Sequence, residues 1–206
     1  MTQPLSIAIA PNITEFFQEV ISDAIRVRRV DATAAAASYL VALLCDYAHP
    51  DEQAGATFNQ PLTFVLHDAL EAAGADRFRR LRSLGDHALY ALGFFGGHIE
   101  QRGIDRGYVS SVGATAYTHA AAMIRGKAQR AVRAGAPDVL SELAAKFDRF
   151  AAVLRDVAEG TLACGARDER SMVKLYERWL KTGSSRLAEE LGARGIVPKR
   201  GPGGIN

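Results

Sequence analysis

Cysteine, lysine, tryptophan and any imbalance of charge are scarce in this 206-residue chain. The two cysteines, Cys45 and Cys164, lie far apart and form no CxxC pair. That spacing argues against a disulfide framework and a cysteine-based zinc site. Cys45 sits in an apolar run, where a free thiol behaves as a small hydrophobe. Basic and acidic residues number 25 and 23, for a net charge of +2. A nucleic-acid partner is therefore not expected, because such proteins carry a basic excess or stripe. The basic stretches at Arg26–Arg29 and Arg125–Arg133 fall at expected helix ends, where cations suit the dipole. Neither is interleaved with the aromatics that stack on bases.

A long apolar run is also missing. ATAAAASYLVALLC, from Ala32 to Cys45, holds 14 uncharged residues. A bilayer span needs roughly 18 to 20. The opening MTQPLSIAIAPN has no basic n-region, and its apolar segment is short for a secretory signal. These absences lead to the expectation of a cytoplasmic chain with no membrane association. GxGxxG, Walker, HExxH and GxSxG patterns are absent, which weakens each corresponding enzyme class.

What is present is helical periodicity almost throughout, with little strand-like alternation. The expected fold is all-α, a single compact bundle of seven to eight helices over residues 1–197, followed by a disordered tail at 198–206. Asn12 and Glu15 form a capping-box pattern for the first helix. Asp31 or Thr33 is placed to cap the second. The third runs from about Asn59–Pro61 to Ala73, the fourth from about Ala75 to Phe95, and the fifth from near Asp105 into the basic stretch. A sixth, from Asp138 to Glu159 with Gly160 as its stop, carries the seam Leu140, Leu143, Phe147, Phe150, Leu154 and Val157. Glu169–Lys181 and Ser184–Leu191 complete the set.

The stretch DRFRRLRSLGDHALYALGFFGGHIEQRG, Asp76 to Gly103, concentrates arginine, histidine and glycine. On a helical wheel Phe78, Leu81, Gly85, Ala88, Leu92 and Phe95 fall within an arc of about 80°. Gly85 and Ala88 in that seam suggest a close helix crossing. Arg79, Arg82, Asp86 and Tyr90 fall on the other side. Arg79, Arg82 and Asp86 make a candidate interaction surface, weighed against an ordinary solvated face. Gly96 and Gly97 read as a helix stop.

His67 and Glu71 share a helical face at i,i+4. With His87 or His119 they are candidate metal ligands, since imidazole and carboxylate suit divalent ions if they converge. A partly exposed His–Glu pair is the plainer reading. His87, Tyr90, Tyr108, Tyr117 and His119 bracket the glycine-rich connection and are candidate ligand-binding residues. Tyrosines at a core edge are the alternative. A haem would need an apolar slot and one axial histidine, His87 or His119. No cofactor is expected.

DRFRRLRSLGDHALYALGFF, the pattern Tyr108-x4-Gly113-x3-Tyr117 and YERWLKTGS at Tyr176–Ser184 resemble segments of a family of helical bacterial proteins with no assigned activity. The resemblance implies a bacterial, cytoplasmic, all-helical domain and assigns no functional residue. Two functions then compete. One is a protein-interaction or regulatory module without catalysis, with a protein partner or a homodimer. The other is a helical bundle that binds a metal, haem or small organic ligand, with an enzyme as one version of that reading.

Overall fold

A computed structural model describes residues 13–48, 60–128, 138–165, 169–182, 185–193 and 195–196. These residues form ten helices and no strand. α1 (Ile13–Arg28) and α2 (Ala34–Ala48) form an antiparallel hairpin, with Thr14 against Cys45. Asn12 and the tail at 198–206 lie outside the described residues. Thr33 is the cap of α2: its hydroxyl accepts from the Ala36 amide at 3.1 Å. That bond satisfies one of the helix's orphan donors. α1 ends at Arg29, whose φ of 52° is left-handed, and the Val30 amide reaches back to the Ile25 carbonyl. Glycine usually occupies this capping position, because a Cβ is strained there.

α3 (Leu62–Glu71) lies across α4 (Gly74–Phe94) and α6 (Arg106–Ala128). α4 and α6 are antiparallel and form the centre. A Cβ built on Gly85 would lie 2.6 Å from the Tyr117 ring, and one on Gly113 would lie 2.8 Å from the Ala88 Cβ. The small residues of the α4 seam thus mark a close crossing. α8 (Phe147–Gly165) crosses further along, where Gly93 abuts Leu154. α1 packs on α8, and α2 meets α7 (Val139–Ala145), which also packs on α6.

The two helices beyond the expected eight have distinct origins. α5 (Gly96–Gln101) follows a one-residue break at Phe95, so Gly96 and Gly97 begin a short helix rather than stop the chain. The expected sixth helix is broken at Lys146 into α7 and α8. Asp138 caps α7 by accepting from the Ser141 amide. The break at Lys146 involves neither glycine nor proline, so it leaves no signal in the sequence. The seam nevertheless carries across it: Leu140, Leu143, Phe147, Phe150, Leu154 and Val157 are all buried. Burial of each such side chain is worth roughly 1.5–3 kcal/mol. α8 also runs through Gly160, the expected stop, to Gly165.

α9 (Glu169–Thr182) and α10 (Ser185–Ala193) enclose a small separate core of Leu175, Trp179, Leu187 and Leu191. This pair docks chiefly through α10 on α8. No described helix is long and apolar enough to cross a membrane.

Candidate functional site

The central assembly forms where α2, α4 and α6 meet. Asp86 projects from α4 with only 14% of its side chain exposed. Its Oδ1 accepts hydrogen bonds from the Tyr39 hydroxyl of α2 and the Tyr117 hydroxyl of α6, each at 2.7 Å. Arg82, one turn earlier on α4, donates from Nε to the Tyr39 hydroxyl at 2.9 Å and lies 3.5 Å from Asp86 Oδ2. Its guanidinium also sits 5.3 Å from the Tyr39 ring centroid, a cation–π contact. One buried carboxylate therefore ties together three helices.

The electrostatics follow from that burial. Desolvation pushes the Asp86 carboxyl above its usual range, against the pull of the two tyrosines and Arg82. Burial and the nearby Asp86 charge raise both Tyr39 and Tyr117 far above an ordinary phenol. Both hydroxyls remain donors at neutral pH, and neither is a general base. Arg82 is desolvated, but Tyr39 and Asp86 outweigh that and raise its pKa. The two phenol hydroxyls and the carboxylate are matched to one another, so the network acts as a polar lock between the three helices.

Beyond this lock on α4 lies an aromatic column. Tyr47 of α2 stacks on Tyr90 at 4.1 Å between centroids, and Tyr90 stacks on Phe94 at 4.7 Å. Phe95 meets the Tyr90 ring edge-on at 5.7 Å and is 51% exposed. Phe95 leaves the expected seam because the helix ends at Phe94 and the backbone turns at the next residue. His87 packs edge-on against Tyr47 at 5.5 Å. Its Nδ1 lies 2.7 Å from the Ser83 carbonyl oxygen. A carbonyl only accepts, so Nδ1 is the donor in this contact.

The expected ligand set is divided by this geometry. His87 and Tyr90 share Tyr47 as a neighbour. Tyr117 is fully buried in the Asp86 lock. Tyr108 lies at the start of α6, where its hydroxyl accepts from the Thr63 amide at 3.0 Å and so pins the start of α3. His119, half-buried on α6, has no hydrogen bond or ring contact that joins it to the others. His67 and Glu71 are both exposed on α3. Among the described residues no group of three or more His, Cys, Asp or Glu side chains is arranged to hold a metal ion. Of the expected outer face, Arg79 stands out in solvent, paired with Asp76 at 3.0 Å, and Arg82 is also exposed. Asp86 alone is mostly buried, because Tyr39 of α2 and Tyr117 of α6 close over it, while Arg82 reaches Tyr39 from the solvent side.

Tyr39, Tyr47 and Ser83 join these assemblies without having been singled out by the sequence. Tyr39 and Tyr47 are eight residues apart, about two helical turns, and so share one face of α2. That spacing was the available signal for them.

No protein-family model matches this chain, and no curated protein or solved structure matches it either.

Proposed function

We propose that this chain is a non-catalytic helical interaction module that pairs with a second copy of itself through the aromatic column of α2 and α4. The observation that carries the reading is the half-exposed Phe95 at the open end of the Tyr47–Tyr90–Phe94 stack. Large aromatics in partly desolvated clusters are the residues that anchor interfaces. A two-fold interface must be self-complementary, and aromatic faces pack well against aromatic faces. The flanks also suit a second copy. Asp46, Glu100 and Arg102 are exposed and supply both signs of charge, and a net charge of +2 gives little repulsion between chains. The Asp86 network supports a non-catalytic role, since the Tyr39 and Tyr117 hydroxyls and the carboxylate are already matched to one another.

Sedimentation velocity over a concentration series tests this. A reversible dimer is expected, with its dissociation constant raised at least tenfold in Phe95→Ser. A monomer at every concentration, or a dimer indifferent to that change, overturns the reading.

A further inference from the structure

The buried side chains of α9 and α10 stand apart from those of the other helices. Leu175 and Trp179 of α9 pack on Leu187 and Leu191 of α10, with Tyr176 and Ile196 against them. Each helix contributes a pair four residues apart, which share one face. The main core runs from Ile21 of α1 to Val157 of α8 and includes none of these residues. The turn after α10 closes the small core. Gly195 takes a left-handed φ of 80°, and the Ile196 amide reaches back to the Leu191 carbonyl at 2.9 Å. This Schellman closure lays the residue after the glycine on the last helical turn. α9 is incompletely covered: Val173 and Leu180, seven residues apart, are exposed.

The body of the molecule is tied together differently. Its single cluster draws on every helix from α1 to α8. Polar bonds also cross between these helices. Asp86 joins α2, α4 and α6. The Thr33 amide at the start of α2 donates to Glu142 of α7 at 3.0 Å, and Ser110 of α6 donates to Asp148 of α8 at 2.5 Å. Arg28 of α1 holds Asp156 of α8. Loosening one part disturbs contacts in the others, so the body opens as a whole. α9 and α10 lie outside its cluster and meet it chiefly at α8. Their opening leaves the main cluster intact, so its cost is set by the small core and the α8 contact. A chain of fewer than about 40 residues seldom sustains a core alone. Loss of the α8 contact and melting of the pair are therefore one event.

We propose that α9 and α10 are a release arm: they leave α8 and melt together under conditions in which α1 to α8 stay folded. Release uncovers the side of α8 on which α10 lies. The Asp86 lock and the aromatic column are on other helices and remain in place.

Urea unfolding of the full chain, at a concentration where it is monomeric, tests this. Trp179 is the one tryptophan of the chain and is buried in the small core. Its fluorescence reads the arm, whereas far-ultraviolet ellipticity reads helix throughout. The fluorescence transition is expected at a lower urea concentration than the main loss of ellipticity. Leu187→Ala should shift the fluorescence transition lower still, or complete it before urea is added. It should leave the main loss of ellipticity unmoved, because the arm is already gone when the body unfolds. Coincident transitions overturn the proposal, and so does a Leu187→Ala variant that moves both transitions or neither. Native-state hydrogen exchange gives a second reading without any substitution. The amides of α9 and α10 should exchange through one shared opening that low urea promotes before that of α4 and α6. A single opening common to all four helices also overturns the proposal.

Discussion

Asp86 and Phe95 lie nine residues apart on one stretch of chain, and they show two opposite uses of polar and aromatic side chains. At Asp86, the two tyrosine hydroxyls and the carboxylate find their partners within the fold. At Phe95, the last ring of a four-ring column keeps half its surface in water. Tyrosine serves both, as a hydrogen-bond donor in one and as a flat apolar surface in the other. The difference lies in closure. A closed network fixes which helices pair and in what register, whereas an open column leaves apolar surface for another molecule to cover.

The largest expected effect comes from breaking the closed end. Asp86→Ala leaves Arg82 partly buried without its acid and strands the hydroxyls of Tyr39 and Tyr117. Loss of one partner from such a buried network costs about 3 kcal/mol, read as a lowered urea midpoint. A cost below about 1 kcal/mol would mean that the network is not what holds α2, α4 and α6 together. Gly85→Ala should be the next largest. Its Cβ would sit 2.6 Å from Tyr117, so the ring must move and its bond to Asp86 is strained. Overpacking of about 1–3 kcal/mol outweighs the helix-propensity gain of up to about 1 kcal/mol. In an Asp86→Ala background the cost of Gly85→Ala should shrink, because the hydroxyl bond it strains is already gone.

A smaller effect tests the charge of the lock. Asp86 has a folded pKa raised above its ordinary value of 3.8. The native state therefore holds this proton more tightly than the unfolded chain does. The resulting stability is fully present below 3.8 and is lost as pH rises through the folded pKa. Glu142 acts in the opposite sense. Burial pushes its carboxyl up, but Thr33 and Lys146 outweigh that and lower it, so its contribution is lost as pH falls. Comparison with Asp86→Asn isolates the first term. The stability of the native chain relative to this variant should decline as pH rises from 3.8. A flat or rising difference would show that the hydrogen bonds from the tyrosines outweigh desolvation.

These two regions also differ in how much of them was legible in sequence. The close crossing at Gly85 and Ala88 is visible because a seam of mixed large and small residues has a helical period. The six-residue seam across α7 and α8 is visible for the same reason, although the break at Lys146 is not. Asp86 was placed on an outer face because a wheel shows only one helix. α4 is central, with α6, α8, α3 and α2 around it, so Asp86, opposite its seam, still faces protein even though Arg79 and Arg82 beside it do not. The pairing of Tyr39 with Asp86 spans 47 residues and depends on tertiary packing. Tyr47 and Tyr90 likewise meet across two helices, and nothing local in sequence joins them. His67 and Glu71 illustrate the converse: their i,i+4 spacing was correct for a shared face, but that face is turned to solvent.

The smallest expected effect on folding belongs to the open end of the column. Phe95 is half exposed and touches Tyr90 only edge-on. Phe95→Ser should therefore change the stability of the isolated monomer by no more than about 0.5 kcal/mol. The same substitution should raise the dimer dissociation constant at least tenfold, equivalent to about 1.4 kcal/mol of association energy. Urea denaturation at a concentration where the chain is monomeric reads the first quantity, and sedimentation reads the second. Tyr90→Ala is the informative contrast, because Tyr90 touches Tyr47, Phe94 and Phe95. Its loss should lower both folding stability and association. If Phe95→Ser also destabilises the monomer by more than about 1 kcal/mol, the column is an extension of the core. Closed and open regions would then be two parts of one structural device, and the distinction between them would fail.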